Sequence, residues 1–409
     1  MIACILDSAN EYFADKSAFQ LTWRFVLTIF VIYVLRYLYK LIFSPMDYTW
    51  EDSDMKGLSP FDKHKLDLKR KKKLGTLPPF PNGWYSIITS KELKAGEVKH
   101  ISALGKEWAV FRTKTGKAGV VGAYCPHLGA DLSMGTVEGE DLVCPFHAFH
   151  FNTEGQCTKI PYQENIPNSM KCQDIPRVVE KNGSVLIWFD VDGKDPDWEV
   201  PEIPEISDKN VRWRGTTRHT VHTHLQEIHE NGADQAHLPV VHWRTIFFYR
   251  PLWHQWGIKW APNETHKWKT DFEVKEVMKV GNWTVPFTTF NVEGHHIGPG
   301  FVHFKMQSVF GPIWVVHNLL PVEGFLQKSN YEMWAPKHIP VWFCKIVLLG
   351  WANQYERDIK IWNQKMFLNA PQIVKNDGPI VQYRRWFKQF YSEKGTKTKV
   401  DFTNPDFFQ

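Results

Sequence analysis

The sequence predicts an α+β protein in three parts: an apolar N-terminal helix, a small all-β domain, and a larger domain that mixes strands with helices. Three observations predict it. Residues 18–43 carry only three full charges, Arg24, Arg36 and Lys40. Residues 84–190 read as short β-branched or aromatic runs (108–111, 119–121, 185–189) separated by Gly-containing turns such as Lys181-Asn182-Gly183-Ser184. After Pro196, strand-like stretches such as 301–310 alternate with helical periodicity around 222–237 and 347–369. At 409 residues the chain exceeds one ordinary core. The boundaries are expected at 1–45 for the apolar helix, 46–77 for a linker, 78–195 for the small β domain and 196–409 for the larger domain.

The apolar run of 26 residues is long enough to cross a hydrocarbon core of about 30 Å. Its strictly uncharged part, 25–35, is shorter than a span, so crossing requires Arg24, Arg36 and Lys40 to snorkel to the interfaces beside Trp23, Tyr37 and Tyr39. The competing readings are a cleaved signal peptide and an interfacial amphipathic helix. Against the first, Asp7, Glu11 and Asp15 stand where a basic region belongs, and no small-residue cleavage pattern follows Phe43. The expectation is a single-pass membrane anchor. Seven of the eleven residues 63–73 are Lys or Arg. By the positive-inside rule they place the body of the protein on the cytoplasmic side, against anionic headgroups or simply in solvent. Leu77-Pro78-Pro79-Phe80-Pro81-Asn82-Gly83 then stiffens the entry to the first folded domain.

Composition narrows the function classes. Charged residues at 23% and hydrophobic ones at 43% describe a folded chain. The aromatic share of 15%, with 19 Trp, suits an apolar pocket, a membrane interface or an aromatic-rich core. A net charge of +5 without a sustained basic face gives no reason to expect nucleic acid as a partner. The six Cys, at 4, 125, 144, 157, 172 and 344, form no disulfide framework, which fits a reducing compartment. Cys157 and Cys172 read as structural thiols.

Two short motifs carry the chemistry of the β domain. Cys125-Pro126-His127 and Cys144-Pro145-Phe146-His147 lie 16 residues apart and each supplies one thiolate and one imidazole. Zinc sites pair Cys with Cys and His with His at helix-compatible spacings. The mixed loops instead suit a [2Fe-2S] cluster of the Rieske kind, in which one iron takes both thiolates and the other both imidazoles.

The larger domain offers a second metal. In residues 230–242, Glu230, Asp234 and His237 recur at i, i+4 and i+7 and are expected on one helix face, with Pro239 returning His242 on a turn. Two imidazoles so placed suit a mononuclear non-heme Fe(II), which also needs one carboxylate and open positions. Along 351–366, Trp351, Tyr355, Trp362 and Met366 make an apolar stripe with Asp358 at its centre. A carboxylate on a core-facing stripe must be paired or coordinated, so Asp358 is the expected third ligand. Glu356 is held in reserve, and a buried salt bridge is the plainer alternative. Asp234, three residues before His237, is expected to accept an imidazole N–H outside the metal shell.

These motifs resemble the Rieske non-heme iron oxygenase family over about residues 80–370. Within it, the anchor, the basic linker and the stretches Cys125-Pro126-His127-Leu128-Gly129-Ala130-Asp131-Leu132 and His229-Glu230-Asn231-Gly232-Ala233-Asp234 resemble the Neverland-type cholesterol 7-desaturases. The resemblance implies a helix-grip catalytic domain and a homotrimer in which one subunit's cluster lies beside its neighbour's iron, with Asp234 bridging a cluster His to His237. It implies O2-dependent desaturation of cholesterol at C7–C8 to 7-dehydrocholesterol for steroid hormone synthesis, on the endoplasmic reticulum membrane. A sterol or steroid hydroxylase on the same scaffold is the runner-up, then a chlorophyll-type oxygenase. A different class, the membrane-anchored Rieske electron-transfer protein of cytochrome complexes, is similar in Cys125-Pro126-His127-Leu128-Gly129. Those proteins carry a disulfide between positions matching Ala130 and Phe146, and they end after the cluster domain.

The sequence contains no dinucleotide fingerprint and no plant-type ferredoxin spacing, so electrons are expected from a separate NAD(P)H-dependent reductase. His222, His224, His229, His295 and His296 read as structural. The apolar run 338–351 is too short to span a membrane and is read as core in preference to a lip dipping into the bilayer.

Overall fold

The computed structural model describes residues 2–52, 55–71, 77–243, 252–368 and 370–392. The chain opens with one helix, α1 (Ile2–Phe43), which extends N-terminally past the apolar run through Asp7, Glu11 and Asp15. Its part Trp23–Phe43 is long and apolar enough to cross a membrane, and none of it is buried against the rest of the protein.

The expected linker is partly structured. Strand β1 (Met46–Thr49) pairs in parallel with β12 (Arg212–Val221), Met46 opposite Gly215 and Thr49 opposite Arg218, and so becomes the edge of the large sheet. Side chains fasten it there. Arg218 grips Asp47 and Glu92, the Trp50 ring lies parallel to His219 at 6.0 Å, and Asp52 meets His222 at 2.5 Å. Helix α2 (Pro60–Lys71) follows, its first turn closed by Ser59, which accepts from the Asp62 N–H and donates to its carboxylate. It carries the basic run as far as Lys71; Lys72 and Lys73 lie outside the described residues.

The small β domain consists of β2 (Gly83–Thr89), β3 (Val98–Ala103), β4 (Lys106–Arg112), β5 (Ala118–Gly122), β6 (Thr136–Glu138), β7 (Asp141–Val143), β8 (His150–Phe151), β9 (Cys157–Lys159), β10 (Val178–Lys181) and β11 (Ser184–Phe189). They form three antiparallel sheets, ordered β10-β11-β2, β3-β4-β5 and β6-β7-β8-β9.

Beyond it, short helices α3 (Pro204–Ser207), α4 (Leu225–Glu230) and α5 (Leu238–Val241) flank strands β13 (Leu252–Pro262), β14 (Lys269–Val280), β15 (Trp283–Ile297), β16 (Phe301–Ser308), β17 (Gly311–Glu323) and β18 (Leu326–Ala335). The large sheet runs β1-β12-β18-β17-β16-β15-β14-β13 and is antiparallel except at β1. Helices α6 (Val341–Trp362) and α7 (Ile380–Phe387) follow.

Helix α6 positions the site. Pro340 sets its start, six residues earlier than expected, and Cys344, Val347, Leu348, Ala352, Tyr355, Ile359 and Trp362 recur at helical spacing on its buried face. Met366, expected on that stripe, lies past the helix end and is exposed. The helix expected over 222–237 is also shorter. The His224 ring caps α4 by accepting from Gln226 N–H at 3.1 Å, and the helix ends at Glu230, just before Asn231-Gly232. Gly232 packs so closely that a β-carbon there would lie 2.7 Å from the His296 ring. Consequently Glu230, Asp234 and His237 do not share a helix face, and Glu230 is instead paired with Arg384 at 2.6 and 3.0 Å.

The two folded parts share one core. Tyr85, Ile87, Trp108 and Val185 of the small domain pack in the same cluster as Val315, Leu319, Met333 and Leu348 of the large one. At this seam Gly300, which turns β15 into β16, leaves no room for a side chain: a β-carbon would stand 2.2 Å from the Trp84 carbonyl oxygen. Gly300→Val is therefore expected to destabilise the protein by about 1–3 kcal/mol through forced separation of the two parts, read as an earlier urea transition than that of the parent.

Candidate active site

The first motif pair lies on two tight loops at one end of the β domain. In the loop after β5, Cys125 N–H donates to Ala130 O and Gly129 N–H to Cys125 O, at 2.8 and 2.9 Å. In the loop between β7 and β8, Cys144 N–H donates to Phe149 O and Ala148 N–H to Cys144 O, at 2.8 and 3.1 Å. Closing each loop requires a left-handed residue, Gly129 at φ +75° and Ala148 at φ +54°; the second is uncommon for a residue with a side chain. The loops bring all four expected ligands together. Cys125 and Cys144 are buried side by side, and the His127 and His147 rings stand 4.7 Å apart, half-buried. Phe149 stacks flat on His127 at 4.7 Å. Burial, with Cys144 adjacent, pushes the Cys125 thiol up to about 11, so without iron it keeps its proton. Thiols inside and imidazoles toward solvent form the two-ended donor set that a [2Fe-2S] centre with one all-thiolate and one all-imidazole iron requires.

The second set meets between α5 and α6. His237 and His242 bracket α5, Asp358 projects from α6, and their ligand atoms all lie within 4.8 Å of one another. His242 Nε2 is 3.1 Å from Asp358 Oδ1, and the two imidazole rings are 5.1 Å apart and nearly perpendicular. Pro239 lies in the first turn of α5, so the return of His242 is one short helical turn.

The Nδ1 atoms are tied back. His237 Nδ1–H donates to the Asp234 backbone carbonyl at 2.6 Å, and the Asp234 carboxylate stands 3.8 Å away while accepting from the N–H groups of Ala236 and His237. His242 Nδ1–H donates to Gln354 Oε1 at 3.0 Å, one turn before Asp358, and Arg357 donates to the same oxygen at 3.0 Å. Burial lowers the His237 pKa, keeping the ring in its neutral, ligating form. Two imidazoles and one carboxylate on one side of a void match the facial set of a non-heme iron. Glu356, the reserve ligand, is turned away and bonded to His219 at 2.6 Å.

The void is a cavity of about 430 Å3 between the large sheet and α6, with His237, His242 and Asp358 in its wall. That volume is typical of small-molecule sites, roughly 300–1,000 Å3. Phe272, Val292, Met306, Leu319 and Trp351 give it an apolar lining. His229 and His296, read as structural from sequence, also line it, 4.8 Å apart. Burial pushes His229 down to about 3, so it is uncharged. Sequence reasoning missed Gln354, whose only signal was its spacing of four residues before Asp358.

Residues 83–172 match the Rieske [2Fe-2S] domain, and residues 187–391, half of the chain, match the 3-ketosteroid 9alpha-hydroxylase C-terminal domain. A cholesterol 7-desaturase of Ciona intestinalis is 35% identical over 97% of this chain and 88% of its own length. One from Xenopus laevis is 39% identical over 80% of this chain and 75% of its own. The chain belongs to the cholesterol 7-desaturase family of Rieske oxygenases. Among solved structures, Pseudomonas putida NdmA shares the fold of this family member with a TM-score of 0.56 and 19% identity, over 79% of this chain and 91% of its own. Dicamba monooxygenase does so with a TM-score of 0.54 and 17% identity, over 76% and 97%. As a member of this family the chain is an oxidoreductase that uses a Rieske [2Fe-2S] cluster, and His237, His242 and Asp358 form a donor set that fits a mononuclear non-heme iron.

Gln354→Leu removes the acceptor that orients His242 and is expected to weaken ferrous ion binding by about 10–100-fold. Gln354→Glu, which retains an acceptor oxygen, should bind within a few-fold of the parent; iron titration of metal-stripped protein reads both.

Proposed function

We propose that this chain converts cholesterol to 7-dehydrocholesterol by removing one hydrogen each from C7 and C8. One observation carries the reading: two imidazoles and a carboxylate meet in the wall of a largely apolar cavity, in a chain whose relatives are named cholesterol 7-desaturases. The balance is one sterol, one O2, two electrons and two protons giving one desaturated sterol and two waters. Electrons come from a separate reductase drawing on NAD(P)H.

In this reading residues 78–195 form the cluster domain, with Cys125, His127, Cys144 and His147 as ligands, and 196–409 the catalytic domain, with His237, His242 and Asp358 holding iron. The described part of that domain ends at Ser392. The iron supplies dioxygen activation when bound. The chain's own residues do the rest. Asp234 and Gln354 hold the two imidazoles by their Nδ1–H groups, so that each ring presents Nε2 to the metal. The lining side chains exclude water from the reacting face and fix which sterol carbon lies over the metal. A 3-ketosteroid-9-alpha-monooxygenase component of Rhodococcus rhodochrous is 26% identical over 78% of this chain, which supports a steroid hydroxylase as the second reading. Product analysis by mass spectrometry, with labelled cholesterol and NADPH added to microsomes containing the protein, separates the two: 7-dehydrocholesterol supports desaturation, and a hydroxylated sterol replaces it with the second reading.

We further propose that α1 is a single-pass anchor in the endoplasmic reticulum membrane with the body in the cytoplasm. The assembly is a homotrimer in which Asp234 links a cluster imidazole of one subunit to His237 of the next. The Asp234 carboxylate, 31% exposed beside His237, is available for such a bond.

His237→Ala and Asp358→Ala are expected to lose mononuclear iron and turnover while retaining the rhombic paramagnetic signal of the cluster. Asp234→Ala should keep both metal centres. Mixed rapidly with O2 and sterol after reduction, the parent should oxidise its cluster and form product within one turnover, whereas this variant's cluster stays reduced. Equal cluster oxidation and equal product in both would remove Asp234 from the electron path.

A further inference from the structure

Among the described residues lining the cavity, one side chain is exposed: Ile346, at 46%, on the second turn of α6. The cavity therefore reaches the surface there. Trp342, one turn earlier on the same face, is 42% exposed, and Phe343 beside it lines the cavity. The turn from β16 to β17 adds Val309 and Phe310, both exposed, with the Phe310 ring 4.9 Å from Phe343 and 6.3 Å from Trp342. Four large apolar side chains, Val309, Phe310, Trp342 and Ile346, thus surround the opening.

The position of this rim identifies what covers it. Lys345, between Phe343 and Ile346 on the same helix, donates from Nζ to the carbonyl oxygens of Lys40 and Leu41 at 2.8 Å each. Those are carbonyls of the last turn of α1, which a cation satisfies and stabilises. The opening is therefore fastened to the end of α1, which among the described residues is the one helix long and apolar enough to cross a membrane, and whose final residues Leu41 and Phe43 are themselves more than half exposed. An apolar rim continuous with an apolar span, carrying a tryptophan beside Lys40, has the composition of a bilayer interface, where rings sit at the headgroup level. Val309, Phe310, Trp342 and Ile346 together exceed the scattered single apolar residues that a soluble surface carries.

We infer that this rim is a second membrane contact and that the sterol passes sideways from the cytoplasmic leaflet through the opening at Ile346 into the iron cavity, without entering water. The inference rests on the sterol substrate and the anchor proposed above. It revises the reading of 338–351 as core alone: Cys344, Val347 and Leu348 face the core, while Trp342 and Ile346 face the bilayer.

The experiment uses the full chain with its reductase and the double variant Phe310→Glu/Trp342→Glu, neither of which lines the cavity. Cholesterol is supplied in phosphatidylcholine–phosphatidylserine vesicles containing the enzyme, or as a cyclodextrin complex to enzyme in detergent micelles. The variant should form at least tenfold less product than the parent from vesicle cholesterol and stay within twofold of it on the complex. Equal loss in both formats, or no loss in either, overturns the inference. Should the parent give no desaturated sterol in either format, the proposed reaction fails, and a second readout still decides the membrane contact. With Trp342 replaced by the photocrosslinker p-benzoylphenylalanine, illumination in vesicles should yield lipid adducts at that position and none at a matched replacement of exposed Tyr162 in the β domain. Adducts to protein, whether a second copy or the reductase, or no adduct at all, overturn it.

Discussion

The carboxylate of Asp358 sits between Tyr355 and Trp362 on the core face of α6, with His242 Nε2 at 3.1 Å. An ionised carboxylate in such surroundings costs several kcal/mol unless it is paired or bound to a cation, so this residue dictates much of what surrounds it. The imidazole that pairs with it comes from a segment more than a hundred positions earlier in the chain. That requires α6 to lie at a fixed depth against the sheet, which Leu348, Ala352 and Ile359 secure by packing, and it requires α5 to deliver both histidines within one short turn. The cavity is the space left when helix and sheet are held apart by the aromatic side chains between them. Site and pocket are consequences of one packing arrangement.

The share of this that could be read from sequence follows how local each feature is. The cluster loops were legible because within each loop the Cys and His lie two or three positions apart, and the turn-forming Gly129 and Ala148 fall four positions after the Cys. Asp358 was legible because an acid centred on an apolar stripe contradicts its surroundings, and helical periodicity exposes the contradiction. The run Glu230, Asp234, His237 misled, since spacing of i, i+4 and i+7 implies a helix only if the helix continues. It ends where Gly232 must fit beneath the His296 ring, a contact between residues 64 positions apart. Gln354 was invisible for the same kind of reason: a polar residue on a helix gains meaning only when the Nδ1 atom it accepts from is known. The pairing of β1 with β12 joins positions about 170 apart, and nothing in the short stretch Met46–Thr49 announces a sheet edge.

The cluster end has its own asymmetry. Thiols face inward, where low polarity favours tight sulfur ligation, and the imidazoles face outward among Tyr124, Leu128, Met134 and Phe146, all exposed. Exposed apolar residues grouped around a redox centre suit a surface that is covered during electron transfer. The two half-buried imidazoles are the cluster ligands nearest that surface.

Chain order adds a final constraint. After α1 the chain first contributes β1 to the catalytic sheet, then runs through the basic helix α2, then builds the whole cluster domain, and only afterwards supplies β12, against which β1 is already destined to pair. A segment that would otherwise be a loose tether is thereby sewn into the catalytic domain by Arg218, His219 and His222, while Lys345 holds the other side of the same junction. Two attachments on different elements resist rotation where one would permit it. The direction in which the cavity opens is therefore fixed relative to the apolar helix. The apolar helix is thus continuous with the catalytic sheet through β1, and it does not hang from it on a free tether.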